Sequence, residues 1–225
     1  MERKQKEAIV LGATGLVGGI VLDLLLKDDR YKKVIVFSRR ALEITHSKLH
    51  TVTGNLLQLD TFVSEFHGDE AFCCIGTTKA KTPNKDTYRK VDFGIPSTAA
   101  KLCKQNGIGT FIVVSAMGAD SGSPIFYNRI KGEMEEAVLA VGLEKTHSVQ
   151  PALIGGTRDE KRPGEYFFKK LMNTLGFLMI GPFRQYKIIL PETIAKAMIW
   201  LANNPYNKKR VPSETLKELA AYGTP

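Results

Sequence analysis

Cysteine is scarce in this chain of 225 residues: there are three, and two of them are adjacent as Cys73-Cys74. Neighbours on a strand point to opposite faces and pair poorly, so no disulfide framework is expected and a reducing compartment is inferred. The four histidines are scattered, without Cys-x-x-Cys or His-Glu-x-x-His spacing to suggest a metal. His46 and His50, four apart, fit a solvated loop or strand edge. No apolar run is long enough to span a bilayer. Arg3, Lys4 and Lys6 precede an apolar stretch as in a signal peptide, but no small-residue cleavage site follows, and the expectation is a cytoplasmic protein. Repeats, low-complexity segments and linkers are absent too. One domain over residues 1–225 is therefore expected, with 152–190 and 204–225 as substrate-side and C-terminal additions.

Hydrophobic residues make up 43% of the chain and charged ones 24%, enough apolar matter for a substantial core. The formal net charge of +9 admits an anionic ligand. Its basic residues are spread along the chain, without the runs or interleaved aromatics of a nucleic-acid surface, so nucleic acid is not the expected partner.

The chain is organised around Ile9-Val10-Leu11-Gly12-Ala13-Thr14-Gly15-Leu16-Val17-Gly18-Gly19. A buried strand stops at a glycine, two more glycines follow at three-residue intervals, and an apolar-periodic helix continues. Gly12 and Gly15 allow a tight turn and close approach to a pyrophosphate; Gly18 allows close helix–strand packing. The helix N-terminus favours an anion. Further strands are expected at Val34–Phe37, Leu49–Thr53, Ala71–Ile75, Thr110–Val114 and Thr146–Gln150. Helices are expected at Asp60–Phe66, from near Asp86 to about Asn106 with Pro96 as an interruption or the start of a second segment, and at Tyr127–Val141. Beyond Pro151, Glu165–Asn173 and Glu192–Asn203 read as helical, Val211 as an edge strand and Ser213 as the cap of a last helix. Alternating strands and helices argue an α/β fold, a parallel sheet covered on both faces.

The end of the second strand bears on cofactor type. An acid about twenty residues after the glycines would accept ribose hydroxyls. This chain has Ser38, Arg39 and Arg40 there, which suit a 2′-phosphate; a solvated basic turn is the plainer alternative. Ser115, Tyr127 and Lys131 are the catalytic candidates. Four apart on a helix, Tyr127 and Lys131 share a face, and an ammonium beside the phenol makes it a usable proton donor or acceptor. Ser115, at the carboxyl end of the fifth strand, would polarise a substrate carbonyl. Tyr166 and Lys170 repeat the spacing in an irregular region, so Tyr127 is preferred. The apolar stretch Leu171–Phe183 reads as core packing, as a wall over the substrate or as a subunit interface.

Gly12-x-x-Gly15-x-x-Gly18 with Tyr127-x-x-x-Lys131 resembles the short-chain dehydrogenase/reductase superfamily in its extended or atypical glycine variant. Phe72-Cys73-Cys74-Ile75-Gly76-Thr77-Thr78, Ser115-Ala116-Met117-Gly118-Ala119-Asp120 and Arg162-Pro163-Gly164-Glu165 resemble, more narrowly, the Tat-interacting protein family of atypical reductases. The likeness runs from about Ala8 to Asn204. It implies a Rossmann fold binding NADP(H), with Gly12, Thr14, Gly15, Leu16 and Val17 at the pyrophosphate and Arg39 and Arg40 at the 2′-phosphate. Asn55 and Leu56 would lie near the adenine, where many relatives use an aspartate. Cys74, Gly76 and Thr77 would border the cofactor, Cys74 by packing and not by redox chemistry, Tyr127 and Lys131 would contact it too, and Pro151 would border the nicotinamide. The implied activity is hydride exchange with a small carbonyl or alcohol. No residue answers to the asparagine of the superfamily's tetrad, and the family includes a regulatory binding protein. Cofactor binding with a protein partner and no turnover is therefore the alternative.

Overall fold

The computed structural model describes residues 5–155 and 188–222. Ala8, Ile9, Val10 and Leu11 in β1 (Lys6–Leu11) are all fully buried. A strand that is apolar without alternation must be covered on both faces, and parallel sheets are where such strands occur. β2 (Tyr31–Ser38), β3 (Leu49–Thr53), β4 (Glu70–Cys73), β5 (Thr110–Val114), β6 (Lys145–Gln150) and β7 (Arg210–Pro212) complete a seven-stranded sheet. The order is β3-β2-β1-β4-β5-β6-β7, with every pairing parallel.

The pleat sorts the core. Val10, Val36, Phe72, Ile112 and Val149 face α1 (Leu16–Lys27), α5 (Pro191–Asn203) and α6 (Ser213–Tyr222). Ile9, Leu11, Ile35, Phe37, Phe111 and Val113 face a 3₁₀ segment (Leu56–Phe62), α3 (Ile95–Gln105) and α4 (Phe126–Ala140). From β1 the chain winds outward to β3, then returns to the other side of β1 with β4. That reversal opens a crevice at the carboxyl ends of β1 and β4, where open α/β sheets bind ligands. At the opposite, amino edge a buried polar ring closes the sheet. Tyr31 donates to Glu70 Oε2 at 2.6 Å, Asn203 donates to the Tyr31 hydroxyl at 2.7 Å, and Lys6 pairs with Glu70.

Several elements differ from expectation. The helix expected over Asp60–Phe66 is the 3₁₀ segment Leu56–Phe62, earlier by four residues. Asn55 caps it by accepting from Leu57 N–H at 3.1 Å, and Leu56 and Leu59, three apart, are both buried. At three residues per turn that spacing puts both on one face. β4 ends at Cys73, two residues short of Ile75, because the Gly12 backbone crosses at Cys74. Of the two readings of Pro96, the start of a second segment holds: it stands in the first turn of α3. α2 (Lys85–Arg89), a π-turn (Lys90–Gly94) and α3 run on continuously, with the Ile95 N–H reaching back to the Lys90 carbonyl. Proline has no N–H for the carbonyl four residues back, that of Asp92, and its ring crowds it; the wider turn relieves both. Ser213 does not cap α6: it is the helix's first residue, and its buried hydroxyl has no partner among the described residues.

Candidate cofactor and active site

At the crevice, Gly12 has φ +87°, which a side chain would strain, and a Cβ there would lie 2.8 Å from the Cys74 backbone carbonyl. A Cβ on Gly18 would lie 2.1 Å from the Gly12 oxygen. The turn between them closes with the Gly15 N–H donating to the Gly12 carbonyl at 2.9 Å. Thr14 and Gly15 are exposed at its crest, and Leu16 and Val17 open α1. No side chain caps that helix and no acid sits in its first turn. Its first N–H groups and positive dipole end therefore face outward over a backbone with no Cβ in the way, and this cradle fits the pyrophosphate of a dinucleotide.

Ser38 ends β2 with its side chain buried, and Arg39 and Arg40 follow exposed. Neither guanidinium has an ion-pair partner among the described residues, and the Arg40 N–H approaches Ser38 Oγ at 3.4 Å. The Gly54 N–H donates to the Ser38 carbonyl at 2.9 Å, which sets Asn55 and buried Leu56 beside the same strand end.

Beyond β4, Cys74 is half-buried against Gly12 and Gly18, and its N–H donates to Leu11. Burial pushes the Cys73 thiol up to about 12 and raises those of Cys74 and Cys103 as well. The thiolate is the nucleophile, so all three are inert at neutral pH. Iodoacetamide at pH 8 is expected to leave the native protein unmodified and to label three sites once it is denatured; rapid native labelling of Cys74 would reverse its assignment to packing.

Lys131 sits one turn into α4 and is 4% exposed, against 42% for Tyr127 in the first turn. The helix therefore does not bury both: Tyr127 stands at the mouth and Lys131 below it. The ammonium lies 2.9 Å from Asp92 Oδ1 and 3.5 Å from the Val114 carbonyl at the end of β5. Asp92 is fully buried, and its other oxygen accepts from the Thr77 N–H at 2.7 Å. Gly76 lies over the pair, where a Cβ would sit 3.5 Å from Asp92 Oδ1 and 3.7 Å from Lys131 Nζ. Burial works against the lysine's charge, but the fields of Asp92 and Tyr127 outweigh it and hold its pKa above the ordinary value. It is an ammonium throughout the neutral range.

Ser115 follows β5 with its hydroxyl buried and without a partner among the described residues, while its N–H donates to Val149. Buried Pro151, just past β6, accepts from the Met117 N–H at 3.0 Å. Lys131, Gly76, Thr77 and the end of β5 that carries Ser115 thus meet at one place, and Tyr127 stands on the helix above Lys131.

Asp92 was not legible as a site residue, because its partner lies far along the chain. Gly132 was missed as well: a Cβ there would meet the Asp120 backbone at 2.2 Å, so it lets the loop after β5 lie directly on α4. Tyr166, Lys170, Arg162–Glu165 and Leu171–Phe183 lie outside the described residues.

Sheet order, glycine turn and open helix N-terminus together define an NAD(P)H-binding Rossmann protein. Residues 12–150 match the NAD(P)H-binding family of domains. The chain belongs to that family and, within it, with the FMP52 and HTATIP2 proteins of the Tat-interacting protein family, which are atypical short-chain dehydrogenase/reductase-like proteins. HTATIP2 of Rattus norvegicus is 31% identical over 176 residues, 76% of this chain and 72% of that protein. The mitochondrial protein FMP52-1 of Scheffersomyces stipitis is 33% identical over 158 residues, 69% of this chain and 70% of that one. The Bordetella bronchiseptica enzyme WbmH, solved with NAD+, shares the fold with a TM-score of 0.69 at 17% identity, over 96% of this chain and 79% of that one. The cytoplasmic expectation finds no support among these relatives, several of which are named mitochondrial. No helix of the described residues is long and apolar enough to cross a membrane.

Proposed function

We propose that this protein is an NADP(H)-dependent oxidoreductase acting on a small carbonyl or alcohol. The observation that carries the reading is the buried Lys131 ammonium, held one turn below exposed Tyr127 at the carboxyl end of β5. When bound, the cofactor supplies or accepts the hydride. Gly12, Thr14, Gly15, Leu16 and Val17 hold its pyrophosphate, Ser38, Arg39 and Arg40 its 2′-phosphate, and Asn55 and Leu56 flank its adenine. Cys74, Gly76, Thr77 and Pro151 border it further along. Tyr127 exchanges a proton with the substrate oxygen, Ser115 orients that oxygen with its free hydroxyl, and Lys131 holds the ribose and eases ionisation of Tyr127. Oxidation of NADPH in the presence of simple aldehydes and ketones tests the activity.

Calorimetry with NADPH and NADH tests the choice of cofactor. Each charge-assisted contact to the 2′-phosphate is worth about 1.5–3 kcal/mol, so Arg39→Ala or Arg40→Ala is expected to weaken NADPH binding by about tenfold to a hundredfold. NADH binding should not change. Equal affinities in the native protein would remove the arginines from cofactor recognition.

A second reading, a protein that binds NADPH and a protein partner without turnover, has one observation in its favour: Lys131 already has a buried anionic partner in Asp92.

A further inference from the structure

The side of β6 that faces α4 is polar where its neighbour is apolar. β5 turns Phe111 and Val113 toward that helix, and their register partners on β6 are Thr146 and Ser148, both buried. Gln150 lies two residues further along the same face. Into this seam α4 sends Glu135, fully buried and one turn past Lys131. Its carboxylate is held at both oxygens. Gln150 Nε2 donates to Oε1 at 2.9 Å and to Oε2 at 3.1 Å, and Arg210 Nε donates to Oε2 at 2.6 Å. Arg210 opens the edge strand β7 as the register partner of Ser148, so α4, β6 and β7 meet at one carboxylate.

A buried carboxylate needs its charge met and its remaining lone pairs taken up. Half-exposed Arg210 meets the charge, and the Gln150 amide takes up the rest. Because that amide belongs to the last residue of β6, the same bonds fix where the strand ends relative to α4. Pro151 follows directly. Its carbonyl accepts from the Met117 N–H at 3.0 Å, on the loop that leaves Ser115, and the Ser115 N–H donates to Val149 at 2.8 Å. The backbone thus ties the end of β6 to the exit of β5, and the Gln150 side chain ties it to the helix of Tyr127 and Lys131.

We infer that Gln150, held by Glu135, is a positioning residue for the nicotinamide half of the cofactor. It sets the spacing between α4, which carries Tyr127 and Lys131, and the end of β6, which carries Pro151. This rests on the proposed placement of the nicotinamide at Pro151. The two side chains act through the elements they join and need touch neither cofactor nor substrate. The adenine half, at the far side of the glycine turn, is indifferent to them.

The test is calorimetry on the full chain with NADPH and with adenosine 2′,5′-bisphosphate, which carries the adenosine and the 2′-phosphate but no nicotinamide. Gln150→Met keeps the side chain's length and the Glu135–Arg210 pair, and removes the tie to α4. It should weaken NADPH binding by about tenfold and leave adenosine 2′,5′-bisphosphate binding unchanged. A merely structural role would weaken both ligands alike or neither, and either result would overturn the inference. If the native protein binds NADPH no more tightly than the bisphosphate, the placement of the nicotinamide fails and the inference with it. Absence of turnover would overturn the oxidoreductase reading and not this one, because binding alone is measured. Should Gln150→Met fold poorly, Gln150→Thr takes its place: it suits a strand and is too short to reach the carboxylate, and the same ratio of affinities decides.

Discussion

Gly18→Ala is expected to weaken cofactor binding by about a hundredfold and to destabilise the fold. The added Cβ would lie 2.1 Å from the Gly12 oxygen and 2.7 Å from its carbonyl carbon. Both are backbone atoms of a turn already fixed by Gly12 at φ +87° and by the Gly15 hydrogen bond, so no rotamer change relieves the overlap. Instead α1 must move off β1, against the packing of Val17, Val21 and Leu25 in the core. Overpacking of this kind costs about 3 kcal/mol. The shift also takes the first N–H groups of α1 away from the pyrophosphate. Losing two charge-assisted hydrogen bonds at about 1.5 kcal/mol each weakens binding by about a hundredfold. Thermal unfolding and calorimetry with NADPH read the two effects separately. Unchanged binding in Gly18→Ala would mean that the cofactor does not sit on this turn.

Tyr127→Phe is expected to lower kcat by roughly 10²–10⁴-fold, the usual worth of a positioned general acid or base. NADPH affinity should stay within a factor of about two, since the hydroxyl makes no hydrogen bond to a described residue and its loss disturbs no packing. The combination is informative: lost turnover with retained binding assigns Tyr127 to the chemical step. A rate equal to that of the native protein would remove Tyr127 from it.

The fold was legible where local signals and burial agree. β1, β2 and β5 carry short apolar runs stopped by glycine or polar residues, and a parallel sheet accepts such runs on both faces. The helix of Tyr127 and Lys131 was read to within one residue, because Ile130, Met134 and Val138 recur at helical spacing and all three are buried. Exposure along that helix was not legible. Tyr127 and Lys131 share a face, but the sheet's rim covers the second turn and leaves the first open, and that depends on where β5 ends. The 3₁₀ segment was misplaced because Leu56 and Leu59 suit a three-residue turn as well as a longer period suits Asp60–Phe66. Asp92 was the costliest omission. The partner of Lys131 lies 39 residues earlier in the chain, on the π-turn that precedes Pro96. Long-range pairing of this sort leaves no periodic trace.

The central claim is that the cofactor held at Gly12–Gly18 is used on a substrate and not only sensed. The most direct measurement is the decay of NADPH absorbance in the presence of the native protein and a panel of small aldehydes and ketones. The account predicts catalysed oxidation of NADPH with at least one carbonyl, dependent on both cofactor and substrate concentration. Tight NADPH binding with no oxidation across the panel would contradict it and favour a protein that binds the cofactor without turning it over.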